Sequence, residues 1–353
     1  MAFKLPKKIA ERFSCDIGID LGTANTLVYL KGKGVVVTEP SVVAVNQKTG
    51  QVVAVGSAAR DMIGRTPGHI TAIRPLVDGV ISDFEVTEEM LSYLIQKAST
   101  ERMPLGPRVV VGVPSGVTNV EIRAVRDAAR NAGAREVLII EEPMAAALGA
   151  RLPVHEAVGT MLVDIGGGTT DIALISLGGI VRGKNIRVAG DTLNADISGY
   201  IRSEFKILVG ERTAEEVKVA VGSALKLPVA LQTTIRGRDL VTGLPREIVI
   251  TDADIREAIG ASVLSIVEGI KEVIETAPPE VVSDVMRLGI FLTGGGALLR
   301  GLPELLASEL KVPIHVVDDP LTTVVRGTGI VLEDIEKYRS VLVDDDDGAI
   351  AGF

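Results

Sequence analysis

The sequence predicts an α/β fold made of two similar halves, and three observations carry that prediction. The first is Leu162 to Ile175, where two short apolar runs flank Asp164, Gly166, Gly167, Gly168, Thr169 and Thr170. Runs of that length read as buried strands, so the stretch is a hairpin turning on glycine and threonine. The second is a repeat of that pattern in Asp16 to Leu30, with Asp20, Gly22, Thr23, Ala24 and Asn25 in the corresponding places. Asp20 and Asp164 stand 144 residues apart, about one domain length. The third is a strand, glycine and helix junction at Gly289 to Leu310, which turns on Thr293, Gly294, Gly295 and Gly296.

Glycine-rich turns close hairpins for purely steric reasons, so one such turn carries little. Two copies, each with a strand-end carboxylate, point to phosphate. Glycine admits positive φ and lets backbone N–H groups approach an anion. Threonine adds hydroxyl donors, and Asp20 and Asp164 are placed to face a cation or its water shell. Two halves of this kind imply a duplicated fold with a nucleotide between them.

Composition narrows the class. The chain has 353 residues, 46% hydrophobic and 24% charged, enough for two packed domains. A net charge of −9 argues against nucleic acid as a partner. Cys15 is alone, so no disulfide or cysteine metal site forms within one chain, and His69, His155 and His315 are too scattered to share a metal. No apolar run reaches membrane-spanning length and no signal peptide is visible, so an intracellular protein is expected. Leu5, Ile9 and Phe13 recur every four residues among Lys4, Lys7, Lys8 and Arg12, with Pro6 suited to a first helical turn. Such a short basic amphipathic stretch lies on an anionic membrane, packs on the protein as a helix, or is a frayed terminus.

In chain order, Gly34 to Thr38, Ser41 to Asn46 and Gln51 to Val55 read as strands, and Asp61 to Arg74 as a small helix and loop. Val86 to Ala98 reads as a helix capped by Thr87. The following loop, Ser99 to Pro107, carries Met103 and Leu105 on either side of Pro104, a membrane or partner contact or else a packed tip. Arg108 to Val113 is a strand, and Thr118 with Glu121 forms a capping box that opens a helix ending at Gly133. Val137 to Ile140 is a strand running into Glu141, Glu142 and Pro143, with an alanine-rich helix after them.

In the second half Ile186 to Val188 reads as a strand, Asp191 to Leu208 and Glu215 to Leu225 as helices, and Leu231 to Ile250 as strands around Thr242 and Gly243. Asp254 to Ile274 places apolar residues at helical spacing until Pro278 and Pro279 stop it. Gly178 to Asn185 nearly fits a P-loop. It fails because Asn185 stands where Ser or Thr must ligate magnesium and because strand, not helix, follows. Asp344 to Asp347 reads as a solvated acidic end.

Taken together, the two hairpins, Glu142-Pro143 and Thr293 to Gly296 resemble the actin, Hsp70 and sugar-kinase superfamily. The chain is most similar to the MreB family of bacterial actins. Matching stretches are Asp20 to Thr26, Glu39 to Val42, Ile73 to Pro75, Glu141 to Ala147, Asp164 to Asp171, Leu292 to Arg300 and Asp319 to Thr322. Asp171 departs from a common Glu, and Gly149-Ala150-Arg151 lacks a usual second glycine.

The resemblance implies an actin-like fold of two duplicated RNase H-like domains flanking a nucleotide cleft, each with a small inserted subdomain. It divides the chain into a first large subdomain (1–43, 77–155 and 326–353) with an insertion at 44–76. The second large subdomain (156–192 and 257–325) has its insertion at 193–256. It implies ATP or ADP with Mg2+. Gly22, Thr23, Ala24 and Asn25 would form one phosphate loop, and Gly166, Gly167, Gly168 and Thr169 the other. Asp20 and Asp164 would hold the magnesium through water. Glu142 would orient or activate the hydrolytic water, with Thr169 and Asp164 in the catalytic set. Glu215 and Lys218 would meet the ribose and adenine side, and Gly294, Gly295, Gly296, Ala297 and Leu298 would pack on the adenosine.

It also implies slow ATP hydrolysis coupled to head-to-tail filaments, single or paired, that organise cell-wall synthesis and keep a rod shape. Those filaments would lie at the inner face of the bacterial cytoplasmic membrane, with Leu5, Ile9, Phe13, Met103 and Leu105 as contacts and RodZ and MreC as partners. Three rivals stand beside this reading. An Hsp70-like ATPase needs a peptide-binding domain beyond the last nucleotide motif, and only Val331 to Phe353 follow. A sugar kinase needs a further sugar pocket. A nucleotide-dependent regulator that does not polymerise leaves no motif by which to tell it apart.

Overall fold

The computed structural model describes residues 16–98 and 106–343, so Leu5, Ile9, Phe13, Cys15, Met103, Leu105 and the run Asp344 to Asp347 lie outside the described residues. Among the described residues no helix is long and apolar enough to cross a membrane. The chain divides into two compact units. One takes the described residues through Glu156, Leu177–Gly179 and those from Thr322 onward, and the other takes Ala157–Ser176 and Ile180–Leu321.

The first unit opens with β1 (Ile17–Leu21), β2 (Asn25–Leu30) and β3 (Gly34–Pro40). A small sheet follows, from β4 (Val43–Asn46), β5 (Val52–Val55) and β6 (Ile70–Ile73), with the one-turn helix α1 (Ser57–Arg60) between the last two. The two-stranded hairpin of β7 (Leu76–Val77) and β8 (Val80–Ile81) leads to α2 (Phe84–Ala98), then β9 (Arg108–Val113), α3 (Asn119–Asn131), β10 (Glu136–Glu141) and α4 (Glu142–Gly149). The main sheet runs β10-β9-β1-β2-β3, with β1 antiparallel to β2 and parallel to β9. Ile19, Val111 and Ile139 on one face and Val110 and Ile140 on the other are fully buried, as strands covered on both faces require. Met90, Leu91, Leu94 and Ile95 of α2 pack into the same core.

The second unit repeats the plan with β11 (Thr160–Ile165), β12 (Thr170–Ser176) and β13 (Gly179–Ile186). Next come α5 (Gly190–Phe205), β14 (Ile207–Leu208), α6 (Glu211–Val221), β15 (Gln232–Asp239) and β16 (Pro245–Thr251), the three strands forming a small sheet. The long α7 (Asp252–Glu275), α8 (Pro279–Leu288), β17 (Ile290–Thr293), a 3-10 turn at Gly295–Leu298, α9 (Leu302–Leu310) and β18 (Ile314–Val316) complete it. The main sheet runs β13-β12-β11-β17-β18, with β11 antiparallel to β12 and parallel to β17. Both main sheets therefore place their first strand centrally, a hairpin partner on one side and parallel crossovers on the other, the duplicated plan the sequence predicts.

The last helix, α10 (Thr323–Glu333), returns to the first unit and crosses α4 at very close range. A Cβ at Gly149 would strike the Thr323 carbonyl, and one at Gly327 the Ala145 carbonyl, so only glycine lets the two backbones meet.

Several local expectations are corrected. Thr87 is a fully buried residue inside α2, and the Asp83 carboxylate makes the cap by accepting from the Val86 N–H at 3.1 Å. Asp61 to Arg74 contains the strand β6, and the short helix precedes it at Ser57–Arg60. Gly179–Ile186 is itself a strand, which removes the P-loop more directly than the sequence argument did. The helix expected to reach Leu208 stops at Phe205, because Lys206 turns to the left-handed region and Ile207 and Leu208 pair with β15.

Candidate functional site

In the first unit, the candidate residues collect at the carboxyl ends of the parallel strands, where ligands of open α/β sheets bind. Asp20 is the penultimate residue of β1, pairing with Leu27 in the hairpin and with Gly112 in the parallel ladder. Glu142 opens α4 directly after β10, and its Cγ lies 3.4 Å from where a Cβ at Gly112 would sit. The missing side chain at Gly112 thus makes room for Glu142 beside Asp20.

The turn Gly22 to Ala24 is held from outside. Ser41 donates its hydroxyl to the Gly22 carbonyl at 2.5 Å and its N–H to the Ala24 carbonyl at 3.0 Å. Across a trans peptide the N–H points opposite to the carbonyl, so pinning Gly22 and Ala24 aims the N–H groups of Thr23 and Asn25 away from Ser41. Gly79, at the left-handed tip of the β7–β8 hairpin, donates its N–H to Thr23 Oγ1 at 3.0 Å. The hydroxyl proton of Thr23 remains available to a ligand oxygen.

In the second unit Asp164 is again penultimate in its strand, pairing with Asp171 across the hairpin and with Thr293 in the parallel ladder. Here the turn is held by a helix. The N–H groups of Gly190 and Asp191, in the first turn of α5, donate to the carbonyls of Gly166 (3.2 Å) and Gly167 (2.8 Å). The same peptide geometry turns the N–H groups of Gly167 and Gly168 the other way. Lys218 caps the arrangement by donating to the Gly190 carbonyl at 3.0 Å and pairing with Glu215 at 2.6 Å.

The remaining residues on this side come together through Arg300. It donates to the Val219 carbonyl (2.8 Å) and, more weakly, to that of Gly222 (3.4 Å) at the end of α6, a favourable place for a cation. Its own carbonyl accepts from the Ala224 N–H at 2.7 Å. Glu215 and Lys218 are thereby fixed relative to the turn Gly294 to Leu298, where Leu298 stands exposed. The Pro320 carbonyl accepts from both Gly294 N–H and Thr293 Oγ1 at 3.1 Å, which ties down the Asp319 to Thr322 stretch.

The glycines serve a different purpose from the one expected. Gly22 and Gly166 do not take positive φ; a Cβ would lie 2.6 Å from the Asn25 carbonyl at Gly22 and 3.2 Å from the Thr169 carbonyl at Gly166. Room, not handedness, requires them. Gly294 does need its φ of +78°, and a Cβ there would also strike the Asp164 carboxylate.

Burial pushes the Asp20 carboxyl up to about 7, the behaviour of an anion that gains from a cation beside it. Burial also raises Glu141, with the Ser115 hydroxyl working against the rise. Glu142 sits in the first turn of α4, at the helix N-terminus. Among the described residues no three His, Cys, Asp or Glu side chains gather into a metal cluster. A lone strand-end carboxylate such as Asp20 suits magnesium, which keeps most of its waters and binds through one or two carboxylates and phosphate oxygens.

Ser41, Gly79, Asn194 and Arg300 are the residues that sequence reasoning missed. Ser41 and Arg300 lie inside stretches that carried the family resemblance, a signal without a role attached. Gly79 and Asn194 had no local signal, since their partners are 56 and 21 residues away.

A model of the MreB/Mbl protein family matches residues 14–340. The chain is 50% identical over 325 residues to the cell shape-determining protein Mbl of Bacillus cereus, covering 92% of this chain and 98% of that one. It is 49% identical over 345 residues to the cell shape-determining protein MreB of Escherichia coli, covering 96% and 99%. Among solved structures it resembles MreB5 of Spiroplasma citri bound to AMPPNP, at 41% identity and a TM-score of 0.88, covering 92% of this chain and 97% of that one. The actin-like fold alone is shared with MamK in a double helical filament, at 23% identity and a TM-score of 0.79, covering 91% and 99%.

Proposed function

The chain belongs to the MreB/Mbl family, and on that footing we propose that it is an ATP-hydrolysing, filament-forming protein that organises cell-wall synthesis and so sets cell shape. The observation that carries the proposal is the pair of hairpins in one register. Each turn has its carbonyls pinned so that N–H groups face outward beside a strand-end carboxylate. Among the described residues, the N–H groups of Thr23, Gly167 and Gly168 make no hydrogen bond within the protein, and a phosphate supplies the acceptors they lack. A relative of this family binds AMPPNP in its solved structure, which supports nucleotide as the ligand.

In this reading Gly22 to Asn25 and Gly166 to Thr169 hold the phosphates, and Thr23 donates its hydroxyl proton to a phosphate oxygen. Asp20 and Asp164 would hold the water shell of a magnesium ion, which when bound neutralises charge developing on the phosphates. Glu142 accepts a proton from the attacking water and orients it, with Thr169 assisting. Glu215 and Lys218 meet the ribose, and Gly294 to Leu298 cover the adenosine. Hydrolysis is then positioning plus electrostatics, and loss of the γ-phosphate weakens filament contacts.

Copies stack head to tail, a contact that does not close and so propagates. The filaments lie on the inner face of the cytoplasmic membrane through Leu5, Ile9, Phe13, Met103 and Leu105, with RodZ and MreC as membrane partners.

The test is sedimentation and electron microscopy of purified protein with and without Mg-ATP, beside a Glu142→Ala variant and a phosphate-release assay. The expected result is filaments from both proteins, with phosphate release about 100-fold slower or more in the variant. Nucleotide hydrolysis without polymer across salt, lipid and concentration would instead favour a non-polymerising regulator.

A further inference from the structure

We propose that Asn194 is a positioning residue for Glu215, and that the pair sets a preference for ribonucleotides over 2′-deoxyribonucleotides; this rests on the nucleotide reading above. Asn194 lies on α5 and bonds to α6, and its α5 neighbours Leu193 and Ile197 share one apolar core with Ala214 and Val217 of α6. It is only 4% exposed. Its Nδ2 donates to Glu215 Oε2 at 2.7 Å, while its Oδ1 is buried without a hydrogen-bond partner. Reversing the amide would set Oδ1 against a carboxylate, so the charge of Glu215 decides the orientation. A buried carbonyl oxygen without a partner is costly, and a leucine of similar size would avoid that cost in these apolar surroundings. Packing therefore does not account for an amide at this position.

What the amide does is fix Glu215. Oε2 accepts from two donors, Asn194 and Lys218, and Lys218 is itself anchored on the Gly190 carbonyl. One donor alone would leave the carboxylate free to turn about its last bond; two from different helices hold its plane. Oε1 accepts nothing among the described residues, and the side chain is about half exposed, at 49%. An oriented carboxylate oxygen is an acceptor only, so it recognises a hydroxyl donor and penalises a ligand that lacks one. The ribose 2′-hydroxyl is such a donor, and 2′-deoxyATP is the analogue without it.

The experiment measures Kd for ATP and 2′-deoxyATP, and the thermal midpoint, for the wild-type chain, Asn194→Leu and Asn194→Ala. The wild type is expected to bind ATP roughly tenfold more tightly than 2′-deoxyATP. Asn194→Leu should close that ratio to below about threefold by weakening ATP alone, with no fall in the thermal midpoint. Asn194→Ala should close the ratio equally, although it leaves a cavity. Two results overturn the inference: a ratio unchanged in both variants, or equal weakening of both nucleotides together with a lower midpoint, the mark of a purely structural residue. Equal binding of the two nucleotides by the wild type defeats this inference and leaves ATP binding intact. No binding of either defeats the nucleotide reading and the inference with it.

Discussion

In the first unit the turn after β1 is held by side-chain and backbone donors from two separate segments, Ser41 beyond β3 and Gly79 at a hairpin tip. In the second unit the corresponding turn is held by the first turn of a helix, through the N–H groups of Gly190 and Asp191. The strands beneath agree to the residue, with Asp20 and Asp164 penultimate in β1 and β11 and antiparallel partners at the same offset. A buried sheet tolerates little change of register, since a slip of one residue turns every side chain over. A turn needs only that its carbonyls be occupied, and any nearby donor serves. Duplication has therefore kept the frame and left the support free to differ. The first loop reports on the segments around the small sheet β5-β4-β6, and the second on α5 and α6.

The largest effect is expected at Gly294, whose Cβ would meet the Asp164 carboxylate at a φ that disfavours side chains. Gly294→Ala should cost about 3 kcal/mol of stability and abolish measurable ATP binding, read by chemical denaturation and nucleotide titration. Gly112→Ala, beside Asp20 in the other frame, meets only the Val324 and Glu142 side chains at 3.3–3.4 Å and should cost about 1 kcal/mol or less. Equal losses would mean the two frames are equally tight.

A smaller effect separates the two supports. Ser41→Ala removes the bond to the Gly22 carbonyl and strands the buried Thr26 hydroxyl, which lies 2.9 Å from Ser41 Oγ. The expected cost is about 1–3 kcal/mol, with faster amide exchange at Thr23 to Asn25 and none added at Gly166 to Thr169. The second loop has no equivalent substitution, because its supporting donors are backbone. If both loops loosen together, the supports are not independent.

The smallest effect is a pH dependence confined to the first unit. Burial by itself raises the Glu39 carboxyl. Hydrogen bonds from Lys97 and from the N–H and hydroxyl of Ser57, with the Lys97 charge, outweigh that and hold it below its usual 4.5. A depressed carboxyl stabilises the fold above pH 4.5 and loses that contribution as pH falls through its lower folded value. Glu39→Gln should therefore flatten the acid limb of the stability curve by about 1 kcal/mol, measured as the denaturation midpoint between pH 5 and pH 3. An unchanged acid limb would show that this tether, two residues before Ser41, does not stabilise the first unit.

Local chemistry was legible wherever it sufficed. Arg108–Val113 is a strand with the predicted bounds, and Thr118 and Glu121 form the predicted capping box. Thr251 and Asp254 make a second box at the head of α7, whose cap stands three residues before the predicted helix start at Asp254. Errors arose where a local rule had two applicants. Thr87 and Asp83 are both capping types, and only the helix start at Phe84 selects Asp83. Gly179–Ile186, which overlaps the rejected near-fit to a P-loop, pairs as an edge strand beside β12, where exposure tolerates its glycines and charge.

The sequence by itself determined the two-sheet frame, the place of each hairpin and the identity of Asp20, Asp164 and Glu142 as candidates. Apolar runs, turn residues and strand-end carboxylates act over a few residues and are readable there. Only the tertiary structure decided how those residues are held. Ser41 reaches back 19 residues to Gly22, and Arg300 reaches 81 to Val219. The donors that hold such a turn are chosen by proximity in space, and any polar group brought within about 3 Å meets the requirement. No local pattern records which one it is.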